Sequence, residues 1–186
     1  GTSRGQNGKT RVTFVWEPMP PQPGAPASAA RMGTPARVTL TAASAENGTT
    51  YFRGRIPDVA LSSTIAINGD AAQASAAQAP AGGQGPLQVS FDVPPGKVEL
   101  RFQVEDEHAG VIDTDSREIT VPDLTAPQLQ LSTPEILRAR TVKEFRDLNT
   151  NPRAVPTPGR EFRRTDRLIV RFDAYAPGAT TPEVKA

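Results

Sequence analysis

The chain predicts an all-β fold: an immunoglobulin-like antiparallel β-sandwich, followed by a short helix and the start of a second, incomplete sandwich. Three observations predict it. In LQVSFDVPPGKVELRFQVEDEHAGVIDTDSREITVP (residues 87–122), Leu87, Val89, Phe91 and Val93 alternate with polar residues, and Val98, Leu100, Phe102 and Val104 do the same. Pro94-Pro95-Gly96 and His108-Ala109-Gly110 cut that run into three strands, the third over 112–121 with Ile119 and Val121 on one face. Period-two alternation places the apolar side chains of a strand on one face, and short strands at this spacing read as a sandwich or barrel.

Residues 1–10 read as an N-terminal tail. Val12, Phe14 and Trp16 then alternate in RVTFVWEP, a first strand that Pro18 ends. PMPPQPGAPASAARMGTP follows as a loop, too poor in large apolar residues to bury itself. Val38, Leu40 and Ala42 mark a second strand. Asn47-Gly48 supplies the residues of a type I′ hairpin turn, whose two central positions want positive φ. The chain returns over 51–56 as a third strand, with a weaker candidate over 59–67. Residues 71–85, AAQASAAQAPAGGQG, carry no bulky side chain and read as a surface loop. The sandwich therefore spans 11–122 with seven strands, and Trp16, Leu40, Phe91, Leu100 and Phe102 share one core.

Residues 123–127 form a linker, and 128–186 the partial second sandwich. Leu129 and Leu131 alternate in QLQLSTPEIL; VKEFRDL suits a short helix near 142–148, with Val142, Phe145 and Leu148 at helical spacing. Leu168, Val170 and Phe172 make one face of a last strand. Too little chain follows to build its neighbours, so 128–175 is expected to dock on the first sandwich or to self-associate between copies, because exposed strand edges recruit other chains.

Composition narrows the function classes. With 21 Lys/Arg against 20 Asp/Glu, the whole molecule has no electrostatic bias toward nucleic acid or anionic membrane. No Cys is present, which excludes disulfides, thiolate metal sites and cysteine catalysis. No stretch approaches the roughly 20 apolar residues of a membrane helix, so membrane insertion is not expected. The single His, His108, lies in a predicted turn, and no nucleophile elbow G-x-S-x-G exists. The expectation is a non-enzyme with no catalytic, cofactor-binding or metal-binding residues and no cofactor.

Two clusters are weighed against blander readings. Glu105, Asp106, Asp113 and Asp115 (with Glu107) flank one predicted hairpin, where converging carboxylates would suit calcium or, in a cleft, a glycosidase. Alternating acids on an edge hairpin also form a solvated face that discourages edge-to-edge pairing. Charge is uneven: residues 1–137 net −4, whereas 138–171 hold ten Lys/Arg against Glu144, Asp147, Glu161 and Asp166, a net of +6. These arginines would meet an anionic partner, or pair with acids of the first domain across the junction or with the remainder of the second; without interleaved aromatics, nucleic acid is not the expected partner. Trp16, Tyr51 and Tyr175 are the aromatic candidates for a sugar platform. Asn47-Gly48-Thr49 fits the N-glycosylation pattern, though the hairpin explains the same residues.

The ordered set GKTRVTFVWEP, TYFRGRIP, FDVPPGKVELRFQVED, DTDSREITVPDLTAPQ, STPEILRARTVKEFRDL and REFRRTDRLIVR resembles the region C-terminal to the von Willebrand factor A domain in bacterial VWFA-related domain proteins. The resemblance spans nearly the whole chain. It implies a signal peptide and an A domain upstream of Gly1, and hence an extracellular or periplasmic location. The metal-binding D-x-S-x-S motif of such A domains is absent, so no metal residue carries over. The expected function is a non-catalytic spacer or interaction module with a protein partner; the alternative is a carbohydrate- or protein-ligand-binding sandwich with loop-borne specificity.

Overall fold

Alternation becomes burial most clearly in the segment 35–44, where Val38, Leu40 and Ala42 are fully buried and the threonines between them are not. The computed structural model describes residues 1–18, 33–57 and 87–176. In chain order the elements are β1 (Thr2–Arg4), β2 (Thr10–Trp16), β3 (Pro35–Ser44), β4 (Thr50–Ile56), β5 (Leu87–Val93) and β6 (Gly96–Asp106). They continue with β7 (Val111–Val121), β8 (Gln130–Leu131), β9 (Glu135–Ala139), helix α1 (Val142–Thr150), β10 (Arg167–Arg171) and β11 (Ala174–Tyr175).

Two antiparallel sheets face each other. One runs β1-β2-β5 and the other β4-β3-β6-β7. Val12 of β2 and Val89, Phe91 and Val93 of β5 pack against Leu40, Ala42, Ile56, Val98, Leu100 and Val121 of the opposite sheet. Phe52 stacks on Phe91 across the gap with centroids 4.7 Å apart, and Phe14 meets Phe102 at 6.1 Å. Such pairs add specificity of geometry to the burial of apolar area, which is the main stabilising term. Six of the seven expected sandwich strands are present. The seventh candidate, 59–67, and the expected loops at 19–32 and 71–85 lie outside the described residues.

Four expectations need correction. Residues 1–10 are not simply a tail, because Thr2–Arg4 pairs with β2 in register Thr2↔Val12; a three-residue polar strand is too short to show alternation. Trp16 is half-buried and outside the core cluster, since it ends β2 opposite Leu87 at the sheet margin; Leu40, Phe91 and Leu100 are in that core and Phe102 packs against it. The β3–β4 turn is longer than a type I′ turn. Of its residues only Gly48 has positive φ (72°), and the Ser44 hydroxyl accepts from the backbone N–H groups of Glu46 and Asn47. A local side-chain cap thus replaces the second left-handed residue.

The fourth concerns β10. Leu168, Val170 and Phe172 are exposed (44%, 56% and 45%), while Leu137 and Ala139 of β9 are fully buried with Ile169 half-buried beside them. The helix decides the sides. Arg167 reaches over the Phe145 ring, and Arg171 donates to the carbonyls of Leu148 and Asn151, so α1 covers the face carrying 167, 169 and 171. Helix formation itself follows the sequence: Thr141 accepts from Glu144 N–H, and the Glu144 carboxylate accepts from Thr141 N–H, a capping box. The last turn has no basic residue of its own. Arg171 meets the C-terminal carbonyls from another element, where a cation is favoured.

Leu137→Ala is expected to cost about 2–5 kcal/mol in urea unfolding, the range for a buried leucine truncation. Val170→Ser is expected to stay within about 0.5 kcal/mol of wild type, as exposed substitutions do. The opposite ranking would mean that β10 turns its other face to the helix.

Candidate functional site

The sequence candidates do not assemble into one centre. His108 is exposed in the β6–β7 turn, its backbone N–H donating to Asp106 Oδ1 at 2.9 Å. That same oxygen takes Gly110 N–H at 2.7 Å, so Asp106 closes the turn and lets Ala109 adopt φ 64°. Asp113 and Asp115 each accept from the next residue's N–H, and Asp115 pairs with Arg117 at 3.0 Å. Among the described residues no three of His, Asp and Glu come together as a metal-binding group. Trp16, Tyr51 and Tyr175 are also separate: the first ends β2, the second packs on the core and the third sits 4.4 Å beneath the Arg4 guanidinium.

Glu105 goes elsewhere. It is 5% exposed on the outer face of the four-stranded sheet, directly opposite Arg37 in register. Its Oε1 accepts from Thr39 Oγ1 at 2.7 Å and lies 3.9 Å from Arg55 Nε; its Oε2 lies 3.8 Å from Arg37 Nε and takes no hydrogen bond. Two guanidinium groups beside a buried carboxylate make this a sheet brace, not a cation site.

A cleft of about 550 Å³ lies where the first sheet meets the C-terminal segment, lined by Thr2, Thr13, Thr133, Glu135, Arg171 and Asp173 among others. Its walls are joined by strand-like pairing. Thr133 N–H donates to the Thr2 carbonyl at 2.9 Å, Thr2 N–H donates to Thr133 Oγ1 at 3.0 Å, and the two hydroxyls lie 2.8 Å apart. Next to it, Arg4 N–H donates to the Tyr175 hydroxyl, which donates to Asp173. The Arg4 guanidinium also grips the Leu124 carbonyl at 2.7 and 3.1 Å, and Leu124 is fully buried. Residues 123–127, read as a linker, are thereby fastened to β1. Burial raises the Tyr175 phenol above its ordinary pKa, the Arg4 hydrogen bond opposing. Thr133, Arg171 and Asp173 are spent on these and neighbouring structural bonds.

The C-terminal segment concentrates the positive charge, and its arginines form no ion pair with a described residue. All six ion pairs among the described residues involve sandwich residues only. Among the described residues, then, no arginine of 138–171 pairs with an acid across the junction. The segment's own acids are engaged by backbone groups: Glu144 by the N–H groups of Arg140 and Thr141, and Asp166 by Arg163 N–H. Arg138 reaches only the Glu161 carbonyl. Beside these cations lies the exposed Leu168, Val170 and Phe172 face. The sequence shows both the charge and the alternation, but a strand's parity cannot say which side a helix will cover.

Tyr175→Phe is expected to cost about 0.5–1.5 kcal/mol, one hydrogen-bonded group. Because the folded pKa is raised, the stabilisation is complete below about pH 10 and is lost as pH rises through the folded value. The gap between wild type and variant should narrow in alkaline denaturation curves. Glu105→Ala should cost about 1.5–3 kcal/mol in the same measurement at neutral pH, the worth of hydrogen bonding to a charged group. Compared with known proteins, the chain matches no family model, no curated protein and no solved structure.

Proposed function

We propose that this chain is a non-catalytic, immunoglobulin-like β-sandwich module that spaces or binds proteins in an exported bacterial protein of the VWFA-related kind. The observation that carries the interaction part is the exposed apolar face of β10 set among arginines that make no ion pair with any described residue. Isolated exposed leucines are ordinary, but an apolar strand face rimmed by charge is the usual form of a docking surface. Export and an extracellular or periplasmic location rest on the ordered segments quoted above, from GKTRVTFVWEP to REFRRTDRLIVR. The non-enzyme part rests on a single histidine whose side chain is exposed in a turn.

Assays with ester, glycoside and phosphate substrates are the test. No turnover above the blank is expected, and a rate abolished by His108→Ala would overturn the reading. The single Trp16 serves as a reporter for the carbohydrate alternative. Its emission should be unchanged by soluble oligosaccharides, and a saturable shift would favour a sugar-binding module instead.

A further inference from the structure

We infer that the outer edge of β10 accepts an extended strand from a partner protein whose residues alternate apolar and acidic; this rests on the interaction-module reading and names its mode. The hydrogen-bond ladder identifies the open edge. In an antiparallel pair, opposed residues alternate between those that exchange N–H and C=O with each other and those that point both groups outward. The Ile136 carbonyl accepts from Thr157 N–H at 2.8 Å, on the side of β9 away from β10. Ile136↔Val170 and Arg138↔Leu168 are therefore the outward-pointing pairs. It follows that Leu168 and Val170 present their N–H and C=O groups on the far edge of β10. No described residue bonds to them, since β10 pairs with β9 alone. The far edge of β9, by contrast, is covered by the loop that supplies Thr157 and the Glu161 carbonyl.

An unpaired strand edge is a template for strand addition, in which backbone bonds give affinity and alternate side chains give specificity. Natural edges are blunted by charges that point along the exposed face. Here Arg167 and Arg171 turn instead to the helix side, toward Phe145 and toward the Leu148 and Asn151 carbonyls. The face left open carries Leu168, Val170 and Phe172. Arg163 and Arg164 are exposed in the chain leading into the strand. Apolar anchors on the strand and cations around it call for a ligand of the complementary pattern.

A second copy of this chain fits poorly. Pairing of β10 with itself brings Arg163, Arg164, Arg167 and Arg171 of two copies together, and the register about Ile169 sets Arg167 directly opposite Arg171; like charges so placed destabilise a ladder. Nucleic acid fits poorly too, because the exposed β10 residues are aliphatic between the arginines and offer no stacked aromatic series.

The test is a titration of the isotope-labelled full chain with a short synthetic peptide alternating valine and glutamate, followed by NMR of the backbone amides. Saturable shifts should centre on Leu168 and Val170, with hydrogen exchange there slowed roughly tenfold or more. Added salt should weaken the binding, and a peptide alternating valine and lysine should not bind. Val170→Pro removes the outward N–H without disturbing a bond to β9, a substitution edge strands tolerate. It should weaken binding roughly tenfold, the loss of one backbone bond. Arg163→Glu combined with Arg164→Glu should do likewise with an unchanged melting temperature, and it keeps the test decisive if the proline variant fails to fold.

Undiminished binding by both variants, binding of the lysine peptide, or an absence of shifts at β10 would overturn the strand-addition inference while leaving the non-catalytic module intact. Concentration-dependent association through the same amides would overturn it in favour of a second copy, and stronger shifts with oligothymidylate in favour of nucleic acid. Substrate turnover, in contrast, would sink the module reading itself.

Discussion

Every strand edge must be paired, covered or left for a partner, and that constraint organises this molecule from its first residues to Tyr175. A backbone N–H or C=O without a partner is costly when buried and adhesive when exposed. In the sandwich the four-stranded sheet pairs β3 and β6 on both sides. On the other sheet, β1 takes β2 along one edge and Thr133 along the other, with Arg4 N–H passing on to Tyr175. A strand of three residues thus joins the sandwich to the chain that follows it. Its contribution lies in position, since it buries little apolar area of its own.

The same constraint shapes the C-terminal segment. The pairs β8–β11 and β9–β10 are built from the same two stretches of chain, with registers Leu131↔Ala174 and Glu135↔Arg171. Three residues on one side lie between those pairs and two on the other, so one side carries an extra residue, as in a bulge. Ser132 absorbs it: its N–H donates to the Asp173 carbonyl at 2.9 Å and its hydroxyl accepts from Asp173 N–H at 2.8 Å. The offset also frees Thr133 N–H to point at β1. One irregularity serves both the ribbon and its attachment.

Charge follows a different division. In the sandwich, cations and anions meet across neighbouring strands or two residues apart, as in Arg11–Asp92 at 2.9 Å and Arg117–Asp115 at 3.0 Å. The Arg11 hydrogen bond holds the Asp92 carboxyl below its ordinary value, burial opposing it. In the C-terminal segment the acids serve backbone groups instead, Glu144 at the helix cap and Asp166 at a turn, so the guanidinium groups keep their charge available. The sandwich and the C-terminal segment therefore differ in how much field they present to a partner.

The sandwich was legible because period-two alternation is a local property: Val38, Leu40 and Ala42, or Val89, Phe91 and Val93, bury as their spacing predicts. The helix was legible for the same reason, through the spacing of Val142, Phe145 and Leu148. What the sequence by itself determined, then, was the strands and the helix long enough to show a period, and which of their side chains share a face; short β1 and β11 show none. The tertiary structure alone decided which face turns inward and which edges find partners. Leu168 and Val170 share a face by spacing, yet α1 takes the other one, where Arg167 meets Phe145 and Arg171 the Leu148 and Asn151 carbonyls, and they are left exposed. Glu105 belongs by sequence to an acidic cluster, and only the register of β3 against β6 sets it between Arg37 and Arg55. Parity is set by covalent geometry, whereas inside and outside are set by contacts between residues far apart in the chain.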